Sequence, residues 1–347
     1  MRLAPRVGFL GVGWIGSARL ASLAASRTAH IAAVCDPSPE ARARAHEVVP
    51  EASLFEHYEE LLEVPLDGVV IATPSGLHAR QCVAAFERGL AVFCQKPLAT
   101  SAAEVQRVIG AARASDRLLR VDFCYRHTRA LSVARELVAS GELGPIHSVE
   151  LVFHNAYGPE KAWALDPDLA GGGCLMDLGV HLVDAALWVL GSPRVERAVG
   201  RRFREGQRLA PHSSTLEDFA VGLLDLDGGV SASLACSWWS SFGDHARIRA
   251  EFLGARGGVV VENVAGSFYD FACDRLRNAT RERLVSPPDD WGGRALVSWV
   301  AELRASPKYR PEPELLEVAR SVDLLLGRDP TAASASEPER VDAAGVV

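Results

Sequence analysis

The stretch Val7-Gly8-Phe9-Leu10-Gly11-Val12-Gly13-Trp14-Ile15-Gly16 decides the fold. A short apolar run leads into glycines spaced G-x-G-x-x-G, and residues 15–25 then follow a helical period. A second apolar run, residues 31–35, ends in Asp36, about 20 residues beyond Gly16. Strand, glycine turn, helix, strand and acid form the order in which a βαβ unit holds a dinucleotide. Gly11 permits the tight turn, Gly13 lets a pyrophosphate approach the backbone, and Gly16 lets the helix pack on the strand. The phosphates would sit at the positive end of the helix. Asp36 would bind the adenosine ribose hydroxyls and repel a 2′-phosphate, so NAD is the expected cofactor. A plain tight turn, with Asp36 as a turn residue before Pro37-Ser38-Pro39, is the alternative.

Outward from that unit, apolar runs at residues 68–72, 91–94 and 118–123 alternate with helical patterns at 39–48, 78–88 and 101–114. That alternation predicts a parallel sheet and an α/β Rossmann domain over residues 1–123. A helix over 129–140 precedes Gly141, and from Gly144-Pro145 the texture changes. Strand-like runs at 146–153, 194–203, 217–226, 229–238, 247–253 and 257–262 follow, with Asp227-Gly228 as a hairpin signal. Residues 124–330 are therefore expected to form an α+β domain with a large, mostly antiparallel sheet, used for substrate binding and oligomerisation. Helices near 175–190, 295–305 and 314–326 would cover one face, and the last would pack back on the first domain. Residues 331–347 read as a loosely ordered tail.

A net charge of −7 leaves no basic footprint, so nucleic acid is not an expected partner. Seven cysteines without a C-x-x-C pair argue against a disulfide framework or zinc site, and a cytoplasmic setting without metal is expected. Regularly spaced glycines inside the N-terminal apolar run fit a strand and turn better than a signal peptide. No uncharged apolar stretch reaches 18 residues, so no membrane span is expected.

Residues 175–190 are apolar almost all round apart from Asp177, His181 and Asp184, spaced four and three and hence on one helical face. Burying three ionisable groups is costly unless they are paired or line a wet cavity. A carboxylate one turn from an imidazole would orient a general acid/base. A satisfied polar network, or a metal held by His and two Asp, are the other readings. The triplet Gly171-Gly172-Gly173 before the helix allows close backbone approach, or is a flexible lead-in. Lys96, in Gln95-Lys96-Pro97, follows a strand of the first domain, where open α/β sheets bind ligands, and could stabilise developing negative charge. Only three of the 37 basic residues are lysines, which makes this one more informative. His154, Tyr157 and Trp163 fall in a loop after the first strand of the second domain and could form a polyol pocket. Trp238 and Trp239 would alternate faces of a strand, so at most one can face a ligand, and each reads first as packing or a subunit contact.

These blocks, in this order, resemble the glucose-fructose oxidoreductase / inositol dehydrogenase / MocA family over roughly residues 5–330. The resemblance rests on Gly11 to Gly16, on Lys96-Pro97, and on Gly171 through Asp184 as G-G-G-x-x-x-D-x-G-x-H-x-x-D. Ala72-Thr73-Pro74-Ser75-Gly76-Leu77-His78 and Asp122-Phe123-Cys124-Tyr125-Arg126 add to it. It implies an NAD(P)-dependent enzyme that moves hydride to or from a secondary alcohol of a sugar, cyclitol or derivative. Lys96, Asp177 and His181 would form the reacting centre, and Arg126 and Asp184 would touch the substrate. Trp14, Ile15, Thr73, Pro74, His78 and Gln95 would join Gly11, Gly13, Gly16, Asp36 and Lys96 around the cofactor. A homodimer or homotetramer is expected. The family's glutamate before the lysine is Gln95 here, which removes a charge beside Lys96. A catalytically silent NAD-binding sensor is the competing reading, against which all three reacting-centre residues are present. Imines, nucleotide-linked keto sugars and dihydrodiols are the alternative substrates.

Overall fold

A computed structural model of the chain describes residues 4–330. The expected C-terminal tail lies outside the described residues. The first domain alternates β1 (Arg6–Leu10), α1 (Trp14–Ser26), β2 (His30–Cys35), α2 (Pro39–Val48), β3 (Ser53–Phe55), α3 (Tyr58–Leu62), β4 (Gly68–Ile71), α4 (Ser75–Glu87), β5 (Ala91–Cys94), α5 (Ala102–Ala114) and β6 (Leu119–Val121). Its six strands are parallel in the order β3-β2-β1-β4-β5-β6. The order reverses between β1 and β4, and the strands' carboxyl ends there open the crevice in which such sheets bind ligands. β4 and β5 are buried at every residue, the mark of strands covered on both faces. Sequence patterning did not indicate β3 and α3, because three residues at a sheet edge carry too little periodicity.

The chain continues through α6 (Arg129–Ala139), β7 (Ile146–Asn155), the short α7 (Pro167–Ala170) and α8 (Val180–Val189), which a π-helical turn, Leu175–Gly179, precedes. There follow β8 (Val195–Arg204), β9 (Gln207–Arg208), β10 (Phe219–Leu226), β11 (Val230–Ser237), β12 (Ala246–Gly254), β13 (Gly257–Asn263), β14 (Phe271–Arg277) and β15 (Thr280–Val285), then α9 (Arg294–Ala305) and α10 (Glu314–Leu326). The nine-stranded sheet runs β15-β14-β13-β12-β7-β11-β10-β8-β9, and only β7 and β11 pair in parallel. Val149, Leu151 and Phe153 of β7 point with period two into the core under α8.

Helix α9 departs from expectation. Its Trp299 stacks at a tilt on Phe93 of β5, 5.7 Å between ring centres, and Leu296 and Val300 join Val7, Phe9 and Val70 in the core of the first domain. It thus covers the first sheet and not the second, because an amphipathic stripe does not say which apolar face it will meet. Helix α10 reaches α5, where Asp323 accepts from the Ala102 N–H at 2.7 Å. The segment Pro167–Val189 is long and apolar enough to cross a membrane by composition, but 89% of its apolar 18-residue window is buried inside the protein, as in a core helix.

Candidate active site

The glycine turn has the shape of a cradle. Gly11 has φ +86°, and a Cβ there would lie 2.6 Å from the Ala72 carbonyl oxygen. A Cβ on Gly16 would strike the Gly11 carbonyl at 2.2 Å, so the helix closes directly on the turn. A Cβ on Gly13, by contrast, would meet nothing within 4 Å, and α1 begins there without a side-chain cap. Open space before uncapped helix N–H groups suits an anion such as a pyrophosphate. Asp36, immediately after β2, accepts from the Val12 N–H at 2.8 Å and the Ser38 N–H at 2.9 Å. The acid therefore braces the turn that it follows. The residues present fit a dinucleotide.

Lys96 leaves the carboxyl end of the first sheet and meets the second domain. Its Nζ donates to Asp177 Oδ1 at 2.7 Å and to the Asp177 carbonyl at 2.9 Å. Asp177 Oδ2 accepts from Trp238 Nε1 at 3.1 Å. Asp177 therefore holds Lys96, where it was expected to orient His181. The reason is local. Leu175–Gly179 is a π turn, whose extra residue breaks the i,i+4 stacking that a regular helix would give Asp177 and His181. The fold permits the close fit because Gly173 meets the Glu217 backbone, where a Cβ would lie 2.0 Å from its carbonyl oxygen. The glycine triplet thus serves close approach.

His181 is buried, with its ring edge-on to Tyr125 at 4.8 Å and tilted against Phe153 at 6.4 Å. Among the described residues no protein group hydrogen-bonds its ring. Burial, and then the charges of Lys96 and Arg19, hold its pKa well below the ordinary value, so the neutral ring is resident near pH 7. A neutral imidazole with uncommitted nitrogens beside a lysine can take a proton.

Other expected residues sit elsewhere. Asp184 takes both oxygens to Arg126, at 3.0 Å from Nε, in a pair that is almost wholly buried. Glu312 lies 3.8 Å from Arg126, and its pKa is pushed up to about 7, by burial first. Arg126 and Asp184 therefore face each other as a buried ion pair. His78 is also committed: Nδ1 lies 2.8 Å from the Pro97 carbonyl and Nε2 2.8 Å from the Thr73 carbonyl. Burial lowers its pKa, so the neutral ring donates to one of the two carbonyls while its other nitrogen is covered by the second. It has no nitrogen left for a cofactor. Thr73 donates to Gln81, and Pro74 starts α4 at the carboxyl end of β4. His154 points away from the site. Alternation along β7 puts Phe153 against His181 and turns His154 to the other face, where it stacks on Phe219 and meets the Ser237 hydroxyl at 2.7 Å. Tyr157 is half-exposed and pairs with His245 at 2.5 Å. Trp14 is 70% exposed at the mouth of the glycine turn. No group of three His, Cys, Asp or Glu able to hold a metal occurs among the described residues.

Sequence reasoning missed Trp238 as a site residue. It lies past the end of β11 and is buried, whereas Trp239 takes a left-handed backbone (φ +52°) and is 45% exposed. No local pattern distinguishes these two neighbouring tryptophans. Trp238→Phe keeps the ring and deletes one hydrogen bond to Asp177. We expect turnover to fall roughly two- to tenfold, the worth of one such bond. Unchanged turnover in a steady-state assay would remove Trp238 from the site.

A glycine cradle on one sheet, facing a lysine–aspartate–histidine group supplied partly by a second sheet domain, defines a nicotinamide-dependent oxidoreductase. The chain belongs to the GFO/IDH/MocA oxidoreductase family: residues 5–123 match its NAD-binding Rossmann-fold domain and residues 131–260 its C-terminal domain. It is similar to D-xylose 1-dehydrogenase (NADP(+)) 2 of Haloferax volcanii, at 31% identity over 92% of this chain and 95% of that one. It is also similar to dTDP-3,4-didehydro-2,6-dideoxy-alpha-D-glucose 3-reductase of Saccharopolyspora spinosa, at 29% identity over 88% and 89%. GenD2 from gentamicin A biosynthesis, solved with NAD, shares the fold with a TM-score of 0.78 at 21% identity, over 93% of each chain.

Proposed function

We propose that the protein interconverts a secondary alcohol and its ketone on a sugar, cyclitol or derivative, with NAD as the preferred partner. The observation that carries this reading is Lys96 bonded to Asp177 beside a buried, neutral His181. Bound nicotinamide supplies the carbon that accepts or returns hydride. His181 takes the hydroxyl proton, and Lys96 stabilises charge on the same oxygen, its ammonium held in place by Asp177 and Trp238. Relatives named for a xylose, for a dTDP-linked keto sugar and for inositol support the class of substrate. Incubation of polyols, aldoses and cyclitols with NAD, read at the reduced-nicotinamide absorbance, tests it. Failure of every alcohol, and of the matching ketones with NADH, would overturn it.

The NAD preference rests on Asp36. A 2′-phosphate would approach a carboxylate that is buried and already bonded to the turn. The neighbouring Arg42 donates from Nη1 to the Asp36 and Pro37 carbonyls, at 2.6 and 3.0 Å, and its Nη2 lies 3.5 Å from Glu56, which draws part of its charge towards another carboxylate. We expect NAD to bind more tightly than NADP by titration. Equal affinities would sink the assignment.

A homodimer or homotetramer in the cytoplasm completes the proposal. All seven cysteines are free, as a reducing compartment allows; the large sheet presents Leu223 and the turn after β11 presents Trp239, both half-exposed. Light scattering on the purified protein tests the assembly; a monomer would refute it.

A further inference from the structure

Behind Lys96, three polar side chains from three elements meet away from solvent. Asp122, the residue after β6, is fully buried. Its Oδ2 accepts from Arg19 Nε of α1 at 2.5 Å and from the side-chain amide of Gln95. Its Oδ1 is buried without a hydrogen bond from the protein, so those two donors make all the protein hydrogen bonds to the carboxylate. Arg19 is buried too and also donates to the Gly292 carbonyl ahead of α9. The sheet itself brings positions 95 and 122 together. The Asp122 N–H donates to the Cys94 carbonyl at 2.8 Å, and the Gln95 N–H to the Ile71 carbonyl at 2.8 Å, which extends the parallel ladders by one residue each.

We propose that Asp122 is a positioning residue for the reaction: pinned by Arg19, it anchors Gln95 and so fixes the strand end from which Lys96 reaches Asp177. The charge bookkeeping explains why residue 95 is an amide. A carboxylate at 95 would face Asp122 across one hydrogen bond with a single guanidinium between them, and two such groups cannot both ionise in a buried site. The other titratable groups facing Asp122 do not help. The Cys94 and Cys124 thiols are held protonated by burial, Cys124 up to about 12, and His127 is held neutral. Lys96 is committed to Asp177. One acid on one arginine balances the cluster, and in this chain that acid stands at 122.

The test is a double-mutant cycle with Gln95→Glu, Asp122→Asn and the combined variant, which moves the charge across the same hydrogen bond. Thermal melting of the protein without ligand gives the first readout. Asp122→Asn leaves Arg19 buried without a counter-ion and should lower Tm by on the order of 5 °C or more at every pH. Gln95→Glu should be pH-dependent. Its two carboxylates share one proton in acid and lose it as pH rises, so its Tm should fall with rising pH relative to that of the wild type, which carries the same Glu312 titration but not this one. The combined variant should regain most of the wild-type Tm and lose that slope. Turnover gives the second readout and rests on the oxidoreductase reading. Each single variant should lose roughly tenfold or more in kcat, as a displaced lysine would cause, and the combined variant should recover it. Additive losses in the combined variant, or a wild-type kcat in Asp122→Asn, would overturn the proposal. Failure of the oxidoreductase reading looks different: the wild type itself would show no turnover while the melting pattern persists.

Discussion

Replacing His181 by alanine is expected to lower turnover by roughly 10²–10⁴-fold, the usual worth of a positioned general base, with NAD affinity nearly unchanged. The proposed cofactor cradle is Gly11–Gly16 with Asp36, whereas His181 stands on α8 against Tyr125 and Phe153. pH dependence gives a second check. The folded-state pKa of His181 is depressed by burial and by the Lys96 and Arg19 charges. Oxidation needs the neutral ring, so kcat/KM should hold level above that pKa and fall as acid protonates it. Stability follows the same sign. The unfolded chain titrates its histidine near ~6.5, so this contribution is whole above that value and is lost as pH falls towards the folded pKa. His181→Ala should flatten both effects. Near wild-type turnover in the variant would move the base elsewhere, and unfolding of the variant would favour a purely structural role.

Replacing Lys96 by methionine is expected to lower turnover by about 10²–10³-fold, because it deletes the group placed to stabilise developing charge on the substrate oxygen. Thermal stability should barely move. The partner carboxylate of Asp177 is 41% exposed, so water can take over when the ammonium goes, and pairs of that kind are worth about 0–1 kcal/mol. The same reasoning predicts a smaller loss for Asp177→Asn, which keeps an acceptor for Lys96. Steady-state kinetics beside melting curves check this. A large drop in Tm with little change in kcat would make Lys96 a strut between domains and not a reacting group.

Much of the site could be read locally, and where the reading erred a three-dimensional reason can be named. Gly11, Gly13, Gly16 and Asp36 were legible because spacing alone carries the chemistry of the turn. Lys96, Asp177 and His181 were legible as residues, but their pairing was not. A π turn redirects Asp177 from the imidazole to the lysine, and nothing in the helical period signals the extra residue. His154 was read as a loop residue after the strand but lies within β7, on the face turned from α8, and that face is known only when α8 is in place. Arg126 and Asp184 looked like two separate contacts and are one ion pair.

The sequence by itself determined the architecture of both halves. Apolar runs that are buried on both faces and alternate with helices make a parallel sheet, and alternating strands joined by tight turns make an antiparallel one. These are consequences of side-chain period, which is local. The tertiary structure decided which charges meet. Arg19, Gln95 and Asp122 are separated by up to 103 residues along the chain, yet share one buried hydrogen-bonded cluster. Trp238 finds Asp177 from 61 residues away. The first domain likewise gained α9 as its outer cover, which its amphipathic pattern could not assign. Hydrophobic burial is non-directional and can be counted along a chain, whereas a hydrogen bond or ion pair depends on distances of a few ångströms that only the packed molecule sets.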